Sequence, residues 1–74
     1  MMYKDKRGWL FCVNCREPER SLHKEYKAFY CNPKKKKWQP CSSPKLDWRD
    51  SARKAELDLA SYARKHDMVT VKGR

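Results

Sequence analysis

The chain has 74 residues, four cysteines and a net charge of +10. A chain of this length forms one domain at most, and its core alone buries too little apolar surface for comfortable stability. No segment is long and apolar enough to span a bilayer, and the first residues lack the apolar run and cleavage site of a secretory signal. We therefore predict a cytoplasmic or nucleoid-associated protein with no membrane partner.

The positive charge is unevenly distributed along the chain. Residues 1–46 contain twelve Lys and Arg against four Asp and Glu, whereas residues 47–67 contain five of each. The other two basic residues lie in the tail, residues 68–74. This distribution favours a polyanionic partner for the half of the chain that carries the cysteines.

The first predicted element is a short strand, Trp9–Phe11, that leads into Cys12 and Cys15. Two cysteines separated by two residues suit a tight turn in which backbone N–H groups point at the thiolates and both sulfurs bind one Zn²⁺. After a polar loop, the alternating pattern of residues 25–31 predicts a second strand that ends at Cys31.

The cysteines together predict one structural zinc ion. Four thiolates form a tetrahedral set with no open position for water, so the site is structural and not catalytic. Two disulfides in a mature secreted chain are the alternative. His23, in the charged loop, is a candidate replacement ligand, although a solvated histidine is its ordinary role. The predicted ligands are Cys12, Cys15, Cys31 and Cys41.

A lysine-rich loop separates the last two cysteines. It is bounded by Asn32-Pro33 and Pro40, and contains four lysines followed by a tryptophan. A solvated loop, or a counter-charge for zinc thiolates, would account for such a block without a partner. Alternatively, its ammonium groups bind phosphates while nearby rings stack on bases. On that interpretation the contacts are Lys27, Tyr30, Lys34, Lys35, Lys36, Lys37 and Trp38.

One amphipathic helix is predicted over residues 44–67, with Ser42 or Ser43 as N-cap and Pro44 in its first turn. At 100° per residue a single apolar stripe forms, and we expect its side chains to pack against the cysteine half while Arg53 stays exposed. "MVTV" after the helix is either a frayed tail or an added strand. The stripe contains Trp48, Ala52, Ala55, Leu59, Tyr62, Ala63 and His66.

Residues 9–41 resemble two groups of zinc-binding modules. The Cys-x2-Cys pair, the aromatic segment "KAFYC" and the proline-containing loop before the last cysteine are similar to the C-terminal zinc ribbons of type IA topoisomerases. More loosely, they resemble GRF-type zinc fingers. Both groups bind single-stranded nucleic acid, so the resemblance implies the same here. The usual glycine before the aromatic strand is absent, and the last cysteine spacing is long.

A second resemblance points to disulfides. The spacing of Cys15 and Cys31 followed by "NPKKKKW" is similar to the second half of a chemokine, which ends in a helix. The adjacent upstream cysteines of that family are missing, and Cys41 has no place in its scheme.

The sequence thus predicts a single-domain, zinc-stabilised α+β protein, with a zinc ribbon over 8–43, an amphipathic helix over 44–67 and a tail over 68–74. No nucleophile beside a base and no open metal position is visible, so we expect neither an enzyme nor a small-molecule substrate. The preferred partner is single-stranded or irregular nucleic acid, DNA or RNA. The alternative is a protein-interaction module that docks on an acidic surface of a transcription or replication complex, as a phage or mobile-element protein would.

Overall fold

The computed structural model describes residues 2–16 and 24–71. In chain order, the described elements are β1 (Met2–Lys4), β2 (Leu10–Arg16), β3 (Glu25–Asn32), β4 (Lys37–Pro40), α1 (Ala52–Lys65) and β5 (Val69–Val71). The five strands form one antiparallel sheet in the order β4-β3-β2-β1-β5. The predicted small α+β class with one C-terminal helix is therefore confirmed.

A compact turn joins β1 to β2. The Asp5 carboxylate accepts hydrogen bonds from the backbone N–H groups of Arg7 and Trp9, each at 2.9 Å. Gly8 has φ +88°, a backbone conformation that residues with a Cβ adopt only under strain. The turn reverses the chain so that Tyr3 lies opposite Phe11.

Strand β2 continues through both of the first cysteines, so the predicted turn at Cys12 and Cys15 is wrong. The strand pairs with β3 from Leu10 opposite Cys31 to Arg16 opposite Glu25. In an extended strand, the side chains of Cys12 and Cys15, three positions apart, point to opposite faces of the sheet, so their sulfurs cannot meet as they would in a turn.

Helix α1 begins later than predicted. Its N-cap is Ser51, whose hydroxyl accepts a hydrogen bond from the Lys54 N–H at 3.3 Å. Upstream, the backbone of Arg49 pairs with Tyr26 of β3 through hydrogen bonds of 2.7 and 2.8 Å. Because this pairing holds residue 49 beside the sheet, the helix cannot extend back to Pro44.

The core lies between α1 and one face of the sheet. Leu59 is fully buried in the middle of the helix, and Arg53 is exposed, as predicted. Trp48 lies before the helix and is only half-buried, and Ala52 is exposed, so their predicted burial on the helix stripe is wrong. His66 is exposed and forms the C-cap of α1. The core cluster comprises Tyr3, Phe11, Ala28, Cys41, Leu46, Leu59 and Ala63.

The chain returns to the sheet directly after α1. Asp67 takes a left-handed conformation with φ +53°, and the Met68 N–H donates to the Ala63 carbonyl at 2.9 Å. This hydrogen bond and the left-handed residue end the helix in a Schellman motif. The next residues form β5, which pairs with β1, so "MVTV" is an added strand and not a frayed tail.

Candidate nucleic-acid interface

The two faces of the sheet differ in what covers them. Side chains alternate between faces along each strand, and α1 packs on the face that carries Phe11 and Ala28. We call the opposite side the open face, because no other helix or strand of residues 2–16 and 24–71 lies over it. By strand register, the residues of β2, β3 and β4 on the open face are Leu10, Cys12, Asn14, Arg16, Glu25, Lys27, Phe29, Cys31, Trp38 and Pro40.

Lys34, Lys35 and Lys36 lie in a tight hairpin turn between β3 and β4, and Lys37 begins β4. The sequence predicted an open loop here that extends to Cys41. The side-chain oxygen of Asn32 accepts a hydrogen bond from the Lys34 N–H at 2.9 Å. The backbone carbonyl of Asn32 accepts hydrogen bonds from the N–H groups of Lys35 and Lys36 at 3.1 and 2.8 Å. Lys36 is left-handed, with φ +52°. We call residues 34–37 the lysine turn. All four side chains are exposed, and none forms an ion pair with a residue in the described part of the chain.

Trp38 directly follows the lysine turn and lies on the open face, opposite Cys31 of β3. It is 37% exposed, whereas Cys31 is 7% exposed. A tryptophan that retains this much exposed surface in a strand next to four cations is available to a ligand. The predicted ring and the predicted cations are therefore adjacent in the chain, with Trp38 on the open face and Lys37 on the helix side of β4.

Tyr30 lies on the other face of the sheet. Its ring stacks on Trp9 with centroids 5.4 Å apart, and its hydroxyl donates to Gln39 Oε1 at 3.3 Å. The ring also lies 6.5 Å from that of Phe11 in the core. Since Tyr30 supports the packing below α1, the structure separates it from Trp38.

Lys27 lies on the open face, near Phe29 and Trp48, two aromatic residues that are not among the predicted nucleic-acid contacts. The Trp48 ring meets Phe29 edge-on at 6.0 Å between centroids. The Arg16 guanidinium lies 3.8 Å from the centroid of the Trp48 ring, and the Lys27 ammonium lies 5.4 Å from it. Arg16 also pairs with Glu25 at 3.2 Å. These contacts form a second cationic and aromatic group, at the end of β3 remote from the lysine turn.

A sequence signal for part of this group exists in β3. The alternation that predicted the strand also places Lys27, Phe29 and Cys31 on one face, opposite Ala28 and Tyr30. No local signal identifies Trp48, because its position depends on the pairing of Arg49 with Tyr26.

The four cysteines are divided between the two faces. Cys12 and Cys31 belong to the open face, whereas Cys15 lies on the helix side of β2 and Cys41 is part of the core. Within residues 2–16 and 24–71, no group of three or more His, Cys, Asp or Glu is placed to hold a metal ion. His23 lies outside the described residues.

Burial raises the pKa of two of these thiols. The effect brings the pKa of Cys41 to about 11, and it also raises that of Cys12. Both thiols are therefore neutral at physiological pH, and a metal ion that bound them would displace their protons. As placed, the four side chains do not fit one tetrahedral zinc ion.

Comparison with protein-family models, curated proteins and solved structures finds no significant match to this chain. The helix of the described residues is too short and too polar to cross a membrane.

Proposed function

We propose that this protein binds nucleic acid through the lysine turn, with single-stranded or irregular DNA or RNA as its partner. The observation that carries the proposal is the exposed block of four lysines in a hydrogen-bonded hairpin next to a partly exposed Trp38. The chain has a net charge of +10, and these four consecutive lysines are its densest group of cations.

Ammonium groups that contact phosphates release the counterions condensed on a nucleic acid, which favours binding at low salt. The lysine turn suits this role because its side chains have no acidic partner within the described residues. Hydrogen bonds to Asn32 order the backbone of the turn before any ligand binds. The ordering cost of binding therefore falls mainly on the lysine side chains.

The ring beside the turn favours an unpaired strand over a duplex. A base can stack on Trp38 only when it is not already stacked and paired inside a helix. Such stacking is tolerant of sequence because every base has a flat face. We therefore infer little sequence preference and a strong dependence on salt.

The test is the affinity for a fluorescently labelled oligo(dT) and for the matching duplex over a series of salt concentrations. Replacing Lys34, Lys35, Lys36 and Lys37 with Gln is expected to weaken binding and to reduce the slope of log affinity against log salt by up to about one unit per lost contact.

The matched control removes the same charge elsewhere. Lys45, Arg53, Arg64 and Lys65 are all exposed, and their replacement by Gln is expected to change the slope much less. Equal losses in the two variants would show that only net charge matters. Unchanged binding by the lysine-turn variant at every salt concentration would reject the proposal.

Zinc binding is a separate hypothesis, and the nucleic-acid proposal does not depend on it. One Zn²⁺ shared by Cys12, Cys15, Cys31 and Cys41 would require β2 to leave its extended form between the first two. Metal analysis of protein purified under reducing conditions decides the matter. One zinc per chain supports the hypothesis, and a metal-free, folded chain contradicts it.

A further inference from the structure

The open face combines three aromatic side chains with cations at both ends. Trp38 lies on β4, Phe29 on β3, and Trp48 covers the end of β3 next to Arg16 and Lys27. We propose that the open face is the base-binding surface of the protein, on which one unpaired nucleic-acid strand lies between the lysine turn and the Arg16–Lys27 group. This inference rests on the proposed function and extends its site to residues outside the lysine turn.

The register of the strands sets the spacing of the rings. Phe29 lies opposite Pro40 and Cys31 lies opposite Trp38, so the two rings are diagonal neighbours on adjacent strands. Diagonal neighbours are about 7–8 Å apart. Two rings at this spacing can each take one base of a strand only if those bases are not stacked on each other. The surface therefore selects an unpaired, unstacked segment.

The cations mark the two ends of the surface. The lysine turn follows Asn32 at one end of β3, and Arg16, on the open face, lies opposite Glu25 at the other end. At about 3.4 Å per residue, the eight residues of β3 place these ends about 24 Å apart. The surface between them contains the apolar side chains of Phe29, Cys31 and Cys12. Phosphates would be held at both ends, with bases over the apolar centre.

The open face could instead pack against a second copy of the chain. Charge argues against that occupant, because two chains of +10 would meet with the cations of both lysine turns close to the contact. A polyanion neutralises the same cations. The charge of the lysine turn thus favours nucleic acid over a second copy of the chain as the occupant of the open face.

The first test removes the Phe29 ring from the centre of the surface and the charges from its far end, and leaves the lysine turn unchanged. Phe29→Leu retains apolar volume without the ring, and we expect about a fivefold or greater loss of oligo(dT) affinity. Arg16→Gln and Lys27→Gln are expected to reduce the salt slope by up to about one unit each. Lys45→Gln, a change of the same type in an exposed residue away from the open face, serves as the control.

The second test uses tryptophan fluorescence, because Phe29→Leu also alters the contact with Trp48. Three variants each retain one tryptophan and replace the other two with Phe. Oligo(dT) is expected to quench the fluorescence of Trp38 and Trp48 on the open face. The fluorescence of Trp9, which stacks on Tyr30 on the helix side of the sheet, is expected to stay nearly unchanged.

The outcomes separate the two proposals. If the lysine-turn variant loses salt-dependent binding while the Phe29, Arg16 and Lys27 variants bind normally and Trp9 responds as strongly as Trp48, the open face is not the base-binding surface and the proposed function still stands. If the parent chain binds no oligonucleotide, both proposals fail. A concentration-dependent dimer that Trp38→Leu abolishes, in a chain without affinity for oligo(dT), would assign the face to self-association.

Discussion

Asp5 organises the turn between β1 and β2 with one carboxylate. One of its oxygens accepts two backbone N–H groups, and the other accepts the Arg7 guanidinium at 3.0 Å. Partial burial by itself raises the pKa of Asp5, but the hydrogen bonds from Trp9 and Arg7 outweigh it, and the pKa falls below its usual value of 3.8. The charged form thus stabilises the folded chain.

This arrangement predicts an acid-dependent stability. Because the folded pKa lies below the unfolded one, the contribution is present above about pH 4 and is lost as the pH falls through the folded value. Asp5→Asn should lower the free energy of unfolding by about 1–3 kcal/mol near neutral pH, and by less in acid. Urea denaturation of both chains at about pH 6 and about pH 2 measures the change. An equal difference at the two pH values would contradict this role.

Asp67 is the left-handed residue that ends α1, a position where glycine is usual. Asp67→Gly removes the strain at φ +53°, roughly 1–2 kcal/mol, but glycine loses more backbone freedom on folding, which costs roughly 0.5–1 kcal/mol. We therefore expect about 0.5–1 kcal/mol of added stability in thermal or urea unfolding. Asp67→Ala removes the same charge from the helix C-terminus but keeps a Cβ, so the difference between the two variants isolates the backbone effect. A destabilised Asp67→Gly chain would mean that the carboxylate has a structural role.

At the scale of the element, α1 shows where helical periodicity predicts correctly. Residues Ala55, Leu59 and Ala63 recur every four positions and are all buried, as their spacing indicates. The members of the predicted stripe that are not fully buried include those at its ends: Trp48 precedes the N-cap, Ala52 is the first helical residue and His66 is the C-cap. Periodicity describes a helix only between its caps, and Ser51 caps this one late.

Two leucines of α1 supply a matched test of this face. Leu59 is fully buried and Leu57 is 63% exposed. Leu59→Ala is expected to lower the free energy of unfolding by about 2–5 kcal/mol, because it removes buried contacts and leaves a cavity. Leu57→Ala should change it by about 0.5 kcal/mol or less. Denaturant titrations of both variants measure this, and similar losses would show that α1 does not pack as described.

At the scale of the whole molecule, the sheet decides which cysteines can meet. An odd separation in one strand places Cys12 and Cys15 on opposite faces, and the register of β3 and β4 brings Cys31 to the open face and Cys41 to the core. The same register makes Trp38 and Phe29 diagonal neighbours on the open face. The division of the cysteines and the composition of the open face therefore have one cause.

Timed alkylation tests this division. At neutral pH iodoacetamide should modify the exposed Cys15 first, and Cys41 last, because Cys41 is buried and its pKa is raised to about 11. Peptide mass spectrometry identifies the modified residue at each time. Equal rates for Cys15 and Cys41 would contradict the structure. Protection of all four thiols that a chelator abolishes would instead support a shared zinc ion.

Local chemistry in the sequence determined the α+β class, the alternation of β3, the central face of α1 and the position of the basic turn. Each depends on residues only a few positions apart, whose periodicity or turn preference is visible without the rest of the chain. Local sequence does not determine the structure at Cys12 and Cys15, because a short Cys-x2-Cys segment suits both a turn and a strand until its pairing partner is known.

The tertiary structure alone decided which sheet face α1 covers, and hence that Tyr30 packs inside while Phe29 and Trp38 remain on the open face. It also placed Trp48 against Arg16 through the pairing of Arg49 with Tyr26. These contacts join residues far apart in the chain, and their energy comes from packing and register, which no local pattern encodes. The lysine turn is thus a property of its own segment, whereas the surface beside it exists only after β3, β4 and α1 have packed together.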